Sequence, residues 1–387
     1  MQKPLSFAVI GCGMLARQQH IPNIIRSAES TLHTLCDLSE ETLAECRNAF
    51  AVTRTTTDFR EAVADPEVDA VVLATTERVR LPVIEACAEA RKPIYVEKPI
   101  AGSLAELYAI QRVVNQAGIP FCAGHNRRNA PAMIDAHRIF RHHMTHPGPC
   151  SWRFDREGAG RPRLADDGTA GMLVRINDDW YSWKGWVFDK EDAPFGPMLF
   201  EMTHFTDLCN WFLAAEPTEV VALSGGMLNH GVIVRYATGE IATISMSANG
   251  TFGYPKELYE MMGQGGIVVV DHMVEVRTAG IADAPPRICY PVLDDPYPDM
   301  DGDGGLPSWL AKKRRVCREI AEGGDPMRIL VPAPDRGHAH ALDRFVDEIR
   351  GQGPRVCGID EAVLATRVAF AAITADRERR VVRLDEV

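Results

Sequence analysis

Two groups of residues in this chain have the types and spacing needed to move a proton. The first is Glu97-Lys98-Pro99, which follows Ile94, Tyr95 and Val96. Three residues suited to a buried strand run into an acid, an amine and a proline that cannot continue a sheet ladder. In an open parallel sheet the carboxyl ends of the strands border the ligand crevice, so a lysine there faces a binding site. Burial and a neighbouring carboxylate can tune its pKa for exchanging a proton with a hydroxyl. The competing reading is an ordinary surface Glu–Lys pair. The second group lies in 195–213, an apolar stretch of helical density interrupted by Glu201, His204 and Asp207. Residues three apart on a helix trace one slanting polar stripe, and such a stripe on a buried helix must point at something wet. A lone histidine there reads best as a satisfied core residue. Two flanking carboxylates change that, because either could orient the imidazole as a general acid or base.

The elements that must position the first group begin at the N-terminus. An apolar strand over 5–10 enters Gly11-Cys12-Gly13-Met14-Leu15-Ala16, and a helical pattern follows through Ile25. In a G-x-G-x-x-A turn the first glycine permits the tight bend, the second lets a pyrophosphate approach bare backbone, and the alanine lets helix and strand pack closely. Between a strand and a helix, this is a dinucleotide-binding fingerprint. It predicts an acid about 20 residues on, and Asp37 closes a strand over 31–36. A carboxylate there accepts hydrogen bonds from ribose hydroxyls and repels a 2′-phosphate. Leu38 follows where an arginine would help an NADP user, so NAD is expected as cofactor ahead of NADP. The competing reading of Asp37 is an acid at the start of a helix. Further strands over 70–74, 94–96 and 120–123 alternate with helices over 79–90 and 104–116, the pattern of a parallel sheet covered on both faces. The expected cofactor-binding residues are Gly11, Gly13, Met14, Leu15, Asp37, Thr75, Glu97 and Lys98.

Gly11-x-Gly13-x-x-Ala16, His20, Asp37 and Glu97-Lys98-Pro99, in this order, resemble the glucose-fructose oxidoreductase and inositol dehydrogenase family, Gfo/Idh/MocA. The resemblance implies an α/β chain. Its N-terminal Rossmann dinucleotide-binding domain, 1–124, is followed by a C-terminal α/β domain, 125–387, with an open, mostly antiparallel sheet for substrate binding and oligomerisation. It assigns Lys98 a place beside the nicotinamide and the reacting hydroxyl. It also implies a homodimer or homotetramer formed through a free sheet face. His204 and Asp207 match the family's helix, but Phe200 stands four residues before His204 where an aspartate is usual, and Glu201 is the candidate to replace it. The catalytic set so implied is Lys98, His204, Asp207 and Glu201.

Gly124 to Pro131 resembles the family's crossover, and Asn126 and Arg127 are candidate substrate contacts. Arg127 and Arg128 could hold a phosphate or carboxylate, or pair with acids of the protein itself. Between the crossover and the histidine helix, three of the chain's six tryptophans fall within 180–186, close after Asn177. Indole faces stack on the C–H face of a sugar ring and amides bond its hydroxyls, so Asn177, Trp180 and Trp183 are candidates for a carbohydrate or cyclitol site. A satellite hydrophobic cluster would use the same residues. His137, His142, His143 and His146 have no carboxylate or cysteine at ligand spacing, and no metal is expected. Strands are expected over 219–236, 240–248 and 267–277, and closing helices over 338–349 and 360–376.

Composition bounds what the chain binds. A net charge of -11 argues against a general nucleic-acid or membrane-surface binder, both of which need excess Lys and Arg. Ten cysteines without a Cys-x-x-Cys pair suit free thiols in a reducing cytoplasm. The leading expectation is an NAD(P)-dependent dehydrogenase acting on a secondary hydroxyl of a sugar, sugar derivative or cyclitol. The alternatives are a redox-assisted glycosidase of the same fold and a non-catalytic cofactor-binding regulator. Retention of both Lys98 and His204 counts against the last.

Overall fold

Short apolar runs separated by helix-forming segments produce a six-stranded parallel sheet in the first part of the chain. Its strands are β1 (Leu5–Ile10), β2 (Ser30–Cys36), β3 (Arg54–Thr56), β4 (Ala70–Leu73), β5 (Ile94–Val96) and β6 (Phe121–Ala123), in the order β3-β2-β1-β4-β5-β6. The order reverses between β1 and β4, and the carboxyl ends at such a switch point form a ligand crevice. The computed structural model describes residues 3–146, 169–179, 196–300, 302–324 and 331–387.

Helices cover both faces of this sheet, as nearly continuous apolar strands require. One face packs against α1 (Ile21–Arg26) and α2 (Glu40–Phe50), through Ile21, Ile24, Leu43 and Cys46. The other packs against α3 (Phe59–Ala64), α4 (Arg80–Glu89) and α5 (Leu104–Ala117). Local chemistry sets the helix ends. Ser39 and Ser103 accept N–H bonds from Thr42 and Glu106 to cap α2 and α5, and Gly118 ends α5 in the left-handed conformation.

The chain divides into two units, Met1–Asn126 with Gly337–Arg367, and Arg127–Arg336 with Val368–Val387. The first crossing lies close to the expected boundary at 124. The return of 337–367 to the first unit differs from the single 125–387 domain expected. Its physical reason is burial: Ala341, Leu342, Phe345 and Val346 of the His338–Ile349 helix join the core on the α1 face, and Ile359, Ala362 and Val363 join the other.

The second unit is built on a mixed sheet of nine strands among the described residues. With β7 (Gly171–Asn177), β8 (Pro217–Ser224), β9 (Asn229–Tyr236), β10 (Ile241–Ser247), β11 (Glu257–Gly263), β12 (Gly266–Asp271), β13 (Glu275–Ala279) and β14 (Arg287–Cys289), the order is β14-β13-β12-β11-β7-β10-β9-β8, closed by Val382–Arg383. β7 and β10 pair in parallel and every other pairing is antiparallel. Strict alternation of burial along β9 and β7 shows one face turned to the core. α6 (Pro131–Thr145) and the Met202–Leu213 helix belong to this unit, with His137 of α6 stacked 3.8 Å from Trp211. On the other face Val221 and Ile233 are cross-strand partners and both are exposed, as are Leu223 and Ile241.

Three sequence readings are corrected here. The strand expected over 219–236 is the hairpin β8–β9, broken where Gly225 N–H donates to the Asn229 carbonyl. The one expected over 267–277 is the hairpin β12–β13, whose turn puts His272 and Met273 at φ 51° and 58°. Tight hairpin turns need positive φ at both central residues, a need usually announced by Asn or Gly and here met by neither. The helix expected over 195–213 is two segments, Pro197–Phe200 and Met202–Leu213, broken at Glu201. No helix among the described residues is long and apolar enough to cross a membrane.

Phe345 is fully buried in the first unit. Phe345→Ala is expected to cost about 3–5 kcal/mol, read as a lower denaturant midpoint. An unchanged midpoint would detach that helix from this core.

Candidate functional site

In the first unit, the carboxyl ends of β1, β4 and β5 assemble the residues that the sequence singled out. Gly11 has φ +92°, and a Cβ there would sit 2.8 Å from the carbonyl of Ala74 and the N–H nitrogen of Thr75, so glycine is required for β1 and β4 to end side by side. Gly13 is different: nothing lies within 4 Å of the position its Cβ would take, which leaves the open backbone that a pyrophosphate needs. Met14 is exposed and Leu15 half-buried on the same turn. Asp37 is tied to that turn, its Oδ2 accepting from the Cys12 N–H at 2.8 Å and its Oδ1 from the Ser39 N–H at 3.0 Å. Leu38 beside it is 87% exposed. Thr75 is half-buried at the end of β4.

The helix leaving the glycine turn winds as a π-helix over Ala16–His20 before α1 begins. Such insertions frequently occur at functional sites. His20, at the end of the wide turn, bonds through Nε2 to Glu97 Oε1 at 2.8 Å, and both residues are buried. The His20 ring also stands edge-on to Tyr95, with centroids 5.3 Å apart. Burial pushes the Glu97 pKa upward, but the hydrogen bond and charge of His20, then Lys98 and His338, outweigh it and hold the group at about 2. Glu97 is therefore ionised at neutral pH and His20 Nε2 donates to it. The other carboxylate oxygen accepts from the Lys98 N–H at 3.2 Å. Space for this carboxylate exists only because residue 124 is glycine: a Cβ there would lie 2.8 Å from Glu97 Oε2. Lys98 is half-buried at the mouth of this arrangement.

In the second unit the polar residues are held by buried ion pairs. Arg127 forks onto Glu257, with Nη2 donating to Oε1 at 2.8 Å and Nε to Oε2 at 3.0 Å. Tyr259 also donates to Glu257, at 2.5 Å. Burial opposes both charges, and each is outweighed by its partner: Glu257 is held well below the carboxylate range, and Arg127 above the guanidinium range. Arg128 forks onto Asp207, with Nε and Nη2 each donating at 2.7 Å. Glu201 stands 4.0 Å from Arg127 Nη2, and the buried His204 donates its backbone N–H to the Glu201 carbonyl at 3.1 Å.

The structure gives several of the candidate residues definite partners. Arg127, expected at the substrate, is buried with its guanidinium forked onto Glu257. Asp207, expected to orient His204, gives both oxygens to Arg128. Asn126 is buried in the Asn126–Asn129 turn at the end of the first unit. Asn177 fastens a loop, its Nδ2 donating to the Thr251 carbonyl at 2.9 Å and its Oδ1 accepting from the Thr251 N–H at 3.3 Å. Trp180 and Trp183 lie outside the described residues. Two residues that matter were not singled out from the sequence. Glu257 interrupts the apolar alternation of β11, and it points inward because Arg127 neutralises it. Arg80 is a lone cation in the apolar run of α4 and is 3% exposed.

The glycine turn, Asp37 and Glu97-Lys98 follow the carboxyl ends of strands of one sheet, and comparison with known proteins matches this part of the chain to a family. Residues 5–125 match the family model described as an oxidoreductase family with an NAD-binding Rossmann fold. Residues 5–125 thus carry the NAD-binding Rossmann domain of the Gfo/Idh/MocA oxidoreductases. Myo-inositol 2-dehydrogenase of Thermotoga maritima is 22% identical over 406 aligned residues, covering 99% of each chain. The 1,5-anhydro-D-fructose reductase of Ensifer adhaerens is 28% identical, covering 71% of this chain and 78% of its own. Among solved structures, an oxidoreductase from Agrobacterium radiobacter in complex with NAD+, L-tartaric acid and magnesium superimposes with a TM-score of 0.71 at 17% identity, covering 99% of each chain. At that identity the likeness establishes the shared fold.

Two outcomes follow from the buried pairs. Glu97 ionises far more easily folded than at its ordinary value of 4.5, so its contribution to stability is complete above that value and is lost as pH falls toward about 2. Both Glu97→Gln and Gly124→Ala should flatten the pH dependence of the melting temperature over that window, and an unaltered acid limb would contradict the pairing. Arg127→Met should lower stability by about 3–5 kcal/mol, because it strands a buried carboxylate. Adding Glu257→Met should recover part of that loss, whereas a fully additive further loss in denaturant melts would mean that the two do not act as a pair.

Proposed function

We propose that this protein is an NAD-dependent dehydrogenase that oxidises a secondary hydroxyl of a sugar, sugar derivative or cyclitol, or reduces the corresponding ketone. The observation that carries the reading is the Glu97-Lys98 turn at the end of β5, in the same sheet whose β1 and β2 end at an open Gly13 and a turn-anchored Asp37. When bound, the nicotinamide would supply the hydride acceptor. The glycine turn would receive the pyrophosphate on bare N–H groups, and Asp37 would accept from the ribose hydroxyls while repelling a 2′-phosphate. Leu38, exposed beside it, offers a 2′-phosphate no cation, which favours NAD over NADP. Lys98 would take the hydroxyl proton as the C–H bond breaks, its amine kept near the ionised Glu97. His204 is a second, separate candidate for acid–base work, supported by its burial beside Glu201 in the family's histidine helix. The exposed Val221, Leu223, Ile233 and Ile241 on one sheet face support assembly into a homodimer or homotetramer.

A screen of NAD and NADP reduction against inositols, aldoses and anhydrosugars tests the reading. We expect turnover with at least one polyol and a preference for NAD of about tenfold or more, narrowed by Asp37→Ala. Lys98→Ala should lower kcat by about 10²–10⁴-fold and leave NAD affinity within about threefold. Wild-type turnover in that variant would remove the lysine from the chemistry. Aglycone release from aryl glycosides without net NADH would instead support the glycosidase, and cofactor binding without either activity a regulator.

A further inference from the structure

We propose that Arg80 is a positioning residue for the reaction: its guanidinium fastens the loop after β4, which carries Thr75, to the loop after β5, which carries Lys98. This rests on the reading of Lys98 given above. Three hydrogen bonds make the tie. Nη2 donates to the Thr75 carbonyl at 2.7 Å, and Nη1 donates to the carbonyls of Glu97 and Pro99. Lys98 is thus bracketed on both sides by main-chain groups held by one side chain. The neighbouring loop it is tied to also touches the cofactor turn, since the ends of β4 and β1 meet at Gly11.

Nothing in the local structure of α4 asks for a cation at this place. Arg80 opens the helix, where the macrodipole disfavours positive charge. It is buried, and burial drags its pKa down to about 10 against the attraction of Glu97, Glu77 and Glu106. A buried arginine kept for stability usually forks onto a carboxylate, as Arg127 and Arg128 do. Arg80 gives its hydrogen bonds to main-chain carbonyls alone, and its Nε has no partner. What it gains is geometry: a planar fork spans two loops at once with donors in a fixed relation to one another, which the rotatable donors of a lysine ammonium do not impose. A displacement of about 1 Å at a reacting group can cost about 100-fold in rate, so the separation of these loops matters most to Lys98.

Two measurements on the full chain test the proposal, using Arg80→Met with Arg80→Lys and Arg80→Gln as alternates. In the first, a brief pulse of acetic anhydride is followed by mass spectrometry of every lysine, a readout that needs no substrate. We expect the labelling rate of Lys98 to change by about threefold or more in Arg80→Met, with the other lysines and the NAD affinity unchanged. In the second, kcat on a polyol that the wild type oxidises should fall about 30- to 100-fold in Arg80→Met. It should fall by less than about threefold when Lys98 is already alanine, because a residue acting through Lys98 has no further effect once the amine is gone. Wild-type labelling and kcat in Arg80→Met would overturn the proposal. So would equal loss in both backgrounds, a general rise in labelling, or unfolding with every replacement, each of which would make Arg80 a structural staple only. If Lys98→Ala alone keeps wild-type turnover, the assignment of Lys98 fails, and the labelling pattern still reports whether Arg80 positions that segment.

Discussion

A carboxylate buried beside the carboxyl ends of the strands, and kept ionised there, is the constraint on which the first unit depends. Glu97 is removed from water, which by itself would favour its neutral form. His20, at the end of the wide-wound turn Ala16–His20, reverses that preference. Gly124 leaves the room and Arg80 holds the carbonyl on the other side of the same residue. A helix start, a strand end and the crossover thus meet at one negative charge, and Lys98 is the next residue along.

The second unit uses buried charge for a different purpose. Arg127 and Arg128 are adjacent in sequence, yet one forks onto β11 and the other onto the Met202–Leu213 helix. Two bidentate pairs from neighbouring residues fix the first turn of the unit against two of its elements, with directional bonds that apolar packing alone would not supply. The acidity of the protein is therefore not uniform surface charge. Some of its carboxylates are internal counter-ions.

The site was legible in the sequence wherever its chemistry is carried by backbone conformation. Gly11, Gly13 and Asp37 sit where the fingerprint puts them, because a tight turn, a bare backbone and a carboxylate about 20 residues on are local demands. Lys98 was legible as the end of a short apolar strand. The partners of Arg127, Asp207 and Asn177 were not legible, because residue type says only that a side chain can make hydrogen bonds. Glu257 stands 130 residues from the arginine it satisfies, and no spacing rule connects them. Arg80 escaped notice for the same reason: its partners are main-chain carbonyls, which every residue possesses.

By itself the sequence determined the alternation of strands and helices, the dinucleotide turn and the place of Lys98, since these follow from hydrophobic period and backbone freedom within short windows. Only the tertiary structure decided which ionisable groups are partners. It also decided where the chain returns to its first sheet, through Phe345 and its neighbours. The physical reason is range. Propensity and turn chemistry act over a few residues, whereas desolvation makes each buried charge find an opposite one wherever the fold brings it.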